Sequence, residues 1–263
     1  MIDIGVNLSN SRFDKDLSEV ISRAQENNIQ HLLVTGTNIA GSQKALALCQ
    51  QYPEYLSCTA GVHPHDADNV SENYLEELEA LSKHSAVKAI GECGLDFNRN
   101  FSTPSNQKKV FKEQIELAQK LQLPLFLHQR DAFTDWFDIL TPHIDHIPFL
   151  VTHCFTGSAE ELRLCLEADM YIGITGWLCD ERRGQELRDI VGEIPLNRLM
   201  IETDAPYLTP RTIRPKPKSS RNEPSYLPYI VKEIAKLTDY SEQDIIKQTS
   251  ENAQNVFGLG NRL

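Results

Sequence analysis

The chain has 263 residues, 40% of them hydrophobic and 24% charged, a balance that excludes a disordered or fibrous protein and fits a soluble globular one. Lys and Arg number 26 against 37 Asp and Glu, a formal charge of −11 that excludes bulk electrostatic attachment to nucleic acid. A polyanionic substrate therefore needs a local basic patch or a metal ion, and because a chain this long buries roughly 70 to 75% of its unfolded surface, any metal serves chemistry and is not needed to staple the fold.

The first segment, MIDIGVNLSNSRFD, has no basic stretch followed by an apolar run. No run of about 18 apolar residues occurs along the chain, so the expected location is the cytoplasm with no membrane partner. Eight short runs rich in apolar and β-branched residues then follow one another: Met1 to Val6, His31 to Thr37, Ser57 to Val62, Val87 to Glu92, Leu123 to His128, Phe149 to His153, Met170 to Thr175 and Leu199 to Thr203. Amphipathic stretches separate them, the alternation that builds a parallel sheet with helices outside. HLLVTG, PLFLH and PFLVTH are nearly continuous in apolar character, as strands buried on both faces are.

Asn106 to Leu121 is the clearest helix, with Val110, Phe111, Leu117, Ala118 and Leu121 on one side and charged residues on the other. Ser158 to Ala168 opens with Ser158 three residues before Glu161, a capping-box spacing. Pro64, Pro104, Pro142 and Pro206 fall in connections. After the eighth run come a basic, proline-rich loop and two more helical segments, Tyr226 to Leu237 and Ser241 to Phe257. The pattern predicts one α/β domain over 1–263, a (β/α)8 TIM barrel with extra C-terminal helices, with an open doubly wound sheet as the rival. Cys49, Cys58, Cys93, Cys154, Cys165 and Cys179 are irregularly spaced without a CxxC pair, which reads as buried free thiols.

Unusual polar residues fall where apolar runs stop. Glu92 ends AIGE, His128 ends PLFLH, His153 ends FLVTH and Asp204 follows LMIET. In a parallel barrel the strand C-termini open on one face, so these four side chains converge there. A lone strand-end histidine is more often a hydrogen-bonded core residue, and the group is either a metal site or an accident of polarity. Several together favour the metal site, because two imidazoles and a carboxylate form a common shell for a divalent ion. Ligand type alone does not choose the metal.

GVHPHD places His63 and His65 just past the third run, where Pro64 and side-chain alternation disfavour joint ligation of one ion. Contact with a phosphate or leaving group suits them better, with solvated loop imidazoles as the plainer alternative. Asp96, in the loop after Glu92, either holds a ligand histidine or caps the loop. Arg130 is placed to meet a phosphate and Asp131 to cap the next helix. APYLTPRTIRPKPKSSRN carries Arg211, Arg214, Lys216, Lys218 and Arg221, the basic patch that the net charge demands, or else a loop kept soluble by its charges. Tyr207, Trp177 and Phe155 also follow strand ends, each either a base-stacking ring or packing.

In this order, GVHPHD, AIGECGLDFNRN, PLFLHQRDA, VTHCFTGS, YIGITGW, CDERRG, IETDAPYLTPR and KPKSSRNEP resemble the motifs of the TatD family of metal-dependent deoxyribonucleases, from DIGVNL near the start to NAQNVFG near the end. The resemblance implies an amidohydrolase-like TIM barrel, a divalent metal at its mouth and phosphodiester hydrolysis on DNA. Magnesium is the expected ion, with manganese or zinc as alternatives. For the branch this chain resembles, it implies a 3′ to 5′ exonuclease on single-stranded DNA or RNA, acting in repair of oxidised DNA. A monomer is expected.

By position, the family's metal ligands fall on Glu92, His128 and His153, its strand-eight aspartate on Asp204 and its GVHPH histidine on His63. Many members open with an HxH pair where this chain has Gly5 and Asn7. Glycine offers no ligand and an asparagine amide oxygen a weak one, so a permanently filled two-metal centre is not expected. In the implied mechanism an ion held by Glu92, His128 and His153 activates water, Asp204 accepts the proton, and His63, His65, Arg130, Arg211 and Arg214 orient the phosphate. The rivals are hydrolysis of an amide, lactone or aminoacyl-tRNA ester on the same scaffold, and a non-catalytic nucleic-acid-binding module.

Overall fold

Strands and helices alternate along the chain in a computed structural model that describes residues 1–259; residues 260–263, which the single-domain expectation includes, lie outside the described residues. The strands are β1 (Ile2–Val6), β2 (His31–Val34), β3 (Leu56–Ala60), β4 (Val87–Asp96), β5 (Leu125–Arg130), β6 (Leu150–Thr152), β7 (Tyr171–Ile174) and β8 (Leu199–Ile201). The helices are α1 (Leu17–Glu26), α2 (Ile39–Gln51), α3 (Tyr74–Ser82), α4 (Pro104–Leu121), α5 (Phe133–Leu140), α6 (Ala159–Glu167), α7 (Gln185–Ile190), α8 (Leu227–Leu237) and α9 (Glu242–Phe257). The eight strands form one sheet in the order of the chain, the (β/α)8 or TIM-barrel class of fold. Each predicted run overlaps an observed strand, although β3 starts one residue before its run and β4 and β5 extend past theirs to Asp96 and Arg130, and α8 and α9 are the extra C-terminal helices. Among the described residues no helix is long and apolar enough to cross a membrane.

The residues group into two compact units, Thr35–His153 and a second made of Met1–Val34 with the chain from Cys154 onward. In the first, β3 pairs with β4, β4 with β5 and β5 with β6, all parallel. Helix α4 buries Val110, Phe111, Leu117 and Ala118, as its periodicity predicts, and Ile115 besides, whereas Leu121 is only half-buried. The same face also buries Gln107 and Gln114, which the apolar pattern does not reveal. Both amides are satisfied by backbone. Gln114 accepts from the Val62 N–H at 2.7 Å and donates to the Val62 carbonyl at 3.0 Å. Gln107 accepts from the Asp96 N–H at 2.9 Å and donates to the carbonyls of Asp96 (3.1 Å) and Ser102 (2.9 Å). A buried polar group is tolerated only when paired, so each glutamine fixes a chain segment at the end of a strand. This anchoring, with pairing of Asp96 opposite Arg130, carries β4 four residues beyond the predicted end at Glu92.

In the second unit β1 pairs with β2 and β7 with β8. Helix α6 has both bonds of the predicted capping box: the Glu161 amide donates to Ser158 Oγ at 3.3 Å and the Ser158 amide to Glu161 Oε2 at 2.9 Å. All six cysteines are free thiols, buried except for the half-buried Cys154. Asp3 is fully buried in β1, accepting from the Thr203 amide (2.9 Å), the Thr203 hydroxyl (2.5 Å) and the Gly5 amide (3.2 Å). Burial outweighs these donors and pushes its carboxyl up to about 7.

A folded-state value above the unfolded one (about 3.9) means that the contribution of Asp3 to stability is fully present below about pH 4 and is lost as pH rises through about 7. The substitution Asp3→Asn, whose amide presents an acceptor and a donor as the protonated carboxyl does, is expected to flatten this dependence. Urea unfolding of Asp3→Asn and wild type between pH 4 and 8 checks it, with a difference on the order of 2 to 4 kcal/mol developing towards the alkaline end.

Candidate metal centre

The pairing of β4 with β5 slips at one residue: Gly91 lies opposite Phe126 and Cys93 opposite Leu127, leaving Glu92 as an extra residue. Such a bulge re-aims the side chain at its apex. Gly91 and Gly94 have φ of 140° and 150°, conformations open essentially to glycine. A Cβ there would collide with the carbonyl oxygen of Phe126 or of His128. Two glycines therefore allow β4 to run close against β5, and the bulge between them turns Glu92 towards His128.

Glu92 is 5% exposed, and one of its oxygens is shared by three rings. Its Oε1 lies 2.8 Å from His128 Nδ1, 3.4 Å from His63 Nε2 and 3.6 Å from His153 Nε2. These side chains come from β4, from β5, from the segment after β3 pegged by Gln114, and from the residue after β6. Burial drives the Glu92 carboxyl up, but the charges of His153 and His63 and the bond from His128 outweigh it and hold the group well below the usual carboxylate range. Burial also acts on the imidazoles, with opposite outcomes. It dominates at His63, whose proton affinity is lowered; at His128 the facing carboxylates of Asp96 and Glu92 overcome it, and the proton affinity is raised. His63 Nδ1 accepts from the His65 amide at 3.1 Å, which assigns the proton of a neutral ring to Nε2, facing Glu92.

Asp96 caps the loop, and the histidine it bonds is His65 instead of one of the expected ligands. Its Oδ2 sits 2.6 Å from His65 Nε2 and 3.7 Å from His128 Nε2, while Oδ1 accepts from the amides of Asn98 (3.0 Å) and Arg99 (2.9 Å). Burial opposes ionisation of Asp96, but the nearby His128 ring and the bonds from His65 and the Arg99 amide hold its carboxyl far below the ordinary range. Asp131 does not cap the next helix: Ala132 occupies the cap of α5, and Asp131 accepts from Asn98 Nδ2 at 2.7 Å instead. Asn98 reaches it because the loop after β4 folds back along the end of β5. Arg130 ends β5, half-buried, with its carbonyl accepting from Phe97 N–H at 2.9 Å.

The donor set suits a divalent cation. His63, Glu92 and His128 offer ligand atoms that all lie within 4.8 Å of one another, with no thiol among them. The buried His128 Nε2, 3.7 Å from Asp96 Oδ2, makes no hydrogen bond among the described residues, an uncompensated polar atom of the kind a ligand satisfies. The predicted Glu92, His128 and His153 are thus brought together, and His63, read from sequence as a phosphate contact, sits equally near the shared oxygen.

Asp204, Arg211 and Arg214 belong to the other unit. Asp204 follows β8 at φ 53°, its amide donating to the Gly5 carbonyl at 2.8 Å and its Oδ1 accepting from Asn7 Nδ2 at 2.9 Å. Asn7, a poor ligand, is here a hydrogen-bond donor that orients Asp204. The basic loop is only partly the patch expected. Arg221 is an ion-pair residue of the fold, bonded to Asp16 (2.7 Å) and Glu223 (2.8 Å), because the chain doubles back beside α1. Arg211 lies 3.7 Å from the buried Asp180, which also pairs with Arg182 and Arg183, a carboxylate the sequence reading passed over. Arg214 donates to the carbonyls of Arg211 and Ile213 at 2.7 and 2.8 Å. Phe155 is buried, Trp177 lies under the Arg183 guanidinium at 4.6 Å, and Tyr207 is exposed with its hydroxyl accepting from Asn10 at 3.1 Å.

A (β/α)8 fold with imidazoles and a carboxylate gathered towards strand ends is an arrangement that metal-dependent hydrolases use. The family model described as TatD related DNase matches residues 2–258, and the chain belongs to that family of hydrolases. Over 259 residues it is 50% identical to a protein named 3′-5′ ssDNA/RNA exonuclease TatD from Pectobacterium carotovorum subsp. carotovorum strain PC1, covering 98% of this chain and 100% of that one. It is 51% identical to the protein of the same name from Citrobacter rodentium strain ICC168, covering 98% of each. Among solved structures, a TatD homologue from Escherichia coli K12 superposes with a TM-score of 0.89 at 26% identity, covering 98% of each chain. A TatD family hydrolase from Entamoeba histolytica gives 0.90 at 28%, covering 99% of this chain and 98% of that one.

In metal-free protein His128 is expected to titrate above the ordinary 6.5, and Glu92→Gln to lower its pKa by removing the acceptor that stabilises the imidazolium. NMR titration of the imidazole nitrogens measures this; an unmoved His128 curve in the variant would show that Glu92 does not hold the ring.

Proposed function

We propose that the protein is a divalent-metal-dependent 3′ to 5′ exonuclease acting on single-stranded DNA or RNA, in the cytoplasm, as a monomer and as one domain over 1–263, and that it serves the repair of oxidatively damaged DNA. The reading is carried by the convergence of three imidazoles on one buried Glu92 oxygen, in a chain about half identical over nearly its full length to proteins named as such exonucleases.

Glu92, His128 and His153 would hold the ion, magnesium in the first instance and manganese or zinc as alternatives. When bound, a divalent ion supplies Lewis acidity towards water and a phosphate oxygen. His63, with its proton assigned to Nε2, donates to a phosphoryl oxygen as negative charge builds there. Asp204, oriented by the Asn7 amide, accepts the proton of the attacking water. Asp96 fixes the His65 ring, and His65, Arg130, Arg211 and Arg214 position the phosphates. The strongly acidic surface leaves this binding to local cations.

Single strands labelled at the 5′ or the 3′ end, digested with magnesium, manganese or zinc, test the reading. Early loss of the 3′ label with a shrinking 5′-labelled ladder is expected, and excess EDTA should stop it. Strands left intact under every cation would defeat the assignment. Asp204→Asn is expected to lower kcat on the order of 100-fold or more while KM changes little; full turnover by the purified variant would remove Asp204 from the proton-transfer role.

A further inference from the structure

The loop that leaves β4 is pinned throughout, yet it holds a phenyl ring out in solvent. Asp96 accepts from the amides of Asn98 and Arg99. Asn100 Nδ2 donates to the Phe97 carbonyl at 2.7 Å. Ser102, itself buried, donates to the His65 carbonyl at 2.8 Å and accepts from the Asp68 amide at 3.0 Å, and Gln107 holds the Ser102 carbonyl. Between these anchors Phe101 is 63% exposed, one of two exposed large hydrophobic side chains among the described residues. The other, Tyr207, has its hydroxyl bonded to Asn10.

The Phe101 ring meets the His65 ring edge to face with centroids 4.7 Å apart, and His65 meets His63 at 4.2 Å. An unbroken row of rings therefore runs from Phe101 to the imidazole whose Nε2 faces Glu92. The Arg99 guanidinium lies 5.7 Å from the Phe101 centroid, placing a cation beside the exposed ring. A solvent-facing phenyl stabilises the loop little, and the hydrogen bonds that shape the loop do not need it. An aromatic face with an adjacent cation at the edge of an anion site is the combination that receives an unstacked base and its phosphate.

We propose that Phe101 is a base-stacking platform that positions the strand for hydrolysis, receiving one nucleobase near the scissile phosphate while Arg99 neutralises the neighbouring phosphate. The proposal rests on the nuclease reading and makes Phe101 a positioning residue. Because the Asn98 and Arg99 amides are already engaged by Asp96, this platform recognises the face of the base and not its edge. It accepts any base and excludes a paired duplex, whose bases are stacked on one another. Its occupant is a single strand.

The test uses the full chain as wild type, Phe101→Ala and Phe101→Trp, on short single strands carrying one abasic residue at successive positions from the 3′ end. Phe101→Ala is expected to raise KM on the order of 5- to 150-fold with kcat largely kept, and Phe101→Trp to restore it. One abasic position should cost the wild type a similar factor and cost Phe101→Ala nothing further. In EDTA, where strands stay intact, 2-aminopurine at that same position should be quenched by wild type and not by Phe101→Ala. Equal thermal midpoints for the three proteins would exclude misfolding as the cause. A Phe101→Ala protein with wild-type KM and quenching would overturn the platform and leave the nuclease reading standing. A wild type that neither binds nor degrades any strand removes both.

Discussion

A buried carboxylate is costly unless something compensates its charge, and at Glu92 the compensation comes from three histidines at once. The interaction is mutual. The rings need the carboxylate because they too are buried, and their charges repel one another. A cluster whose members stabilise one another draws β4, β5 and the segments after β3 and β6 around one point. The same balance leaves His128 Nε2 buried without a hydrogen bond among the described residues, an acceptor or donor open to a ligand.

The supports of this cluster are inconspicuous residues. Gly91 and Gly94 allow the close approach of β4 to β5, and the single-residue slip between them aims Glu92. Gln107 and Gln114, buried on a helix that reads as simply amphipathic, commit their amides to backbone groups beside Asp96 and His63. Asp96 couples the two levels, holding His65 with one oxygen and the loop that bears Phe101 with the other. Site geometry and the loop backbone thus share one carboxylate.

The basic loop shows how charge counted along a sequence differs from charge available in space. Five cations without an intervening acid read as a patch, but Arg221 is committed to Asp16 and Glu223, and Arg211 is shared with Asp180. The acids that neutralise them lie outside the loop, most of them far off in sequence. Asn7 follows the same logic in reverse. It is a weak ligand by composition, and in the fold its amide serves as the donor that orients Asp204.

The sequence by itself determined the alternation of eight strands with helices, the capping of α6 and the two C-terminal helices, and it singled out Glu92, His128 and His153 as polar residues that end apolar runs. Each follows from periodicity, from a cap with fixed spacing or from polar residues ending apolar runs, all of them local signals. Only the tertiary structure decided that β4 continues to Asp96, that His63 joins the shared oxygen, that Asp131 bonds Asn98 instead of capping α5, and that Arg221 belongs to an ion-pair network. Those outcomes depend on partners distant along the chain, such as Gln107 for Asp96 and Asp16 for Arg221, and a residue's neighbours in sequence carry no record of which distant group will meet it.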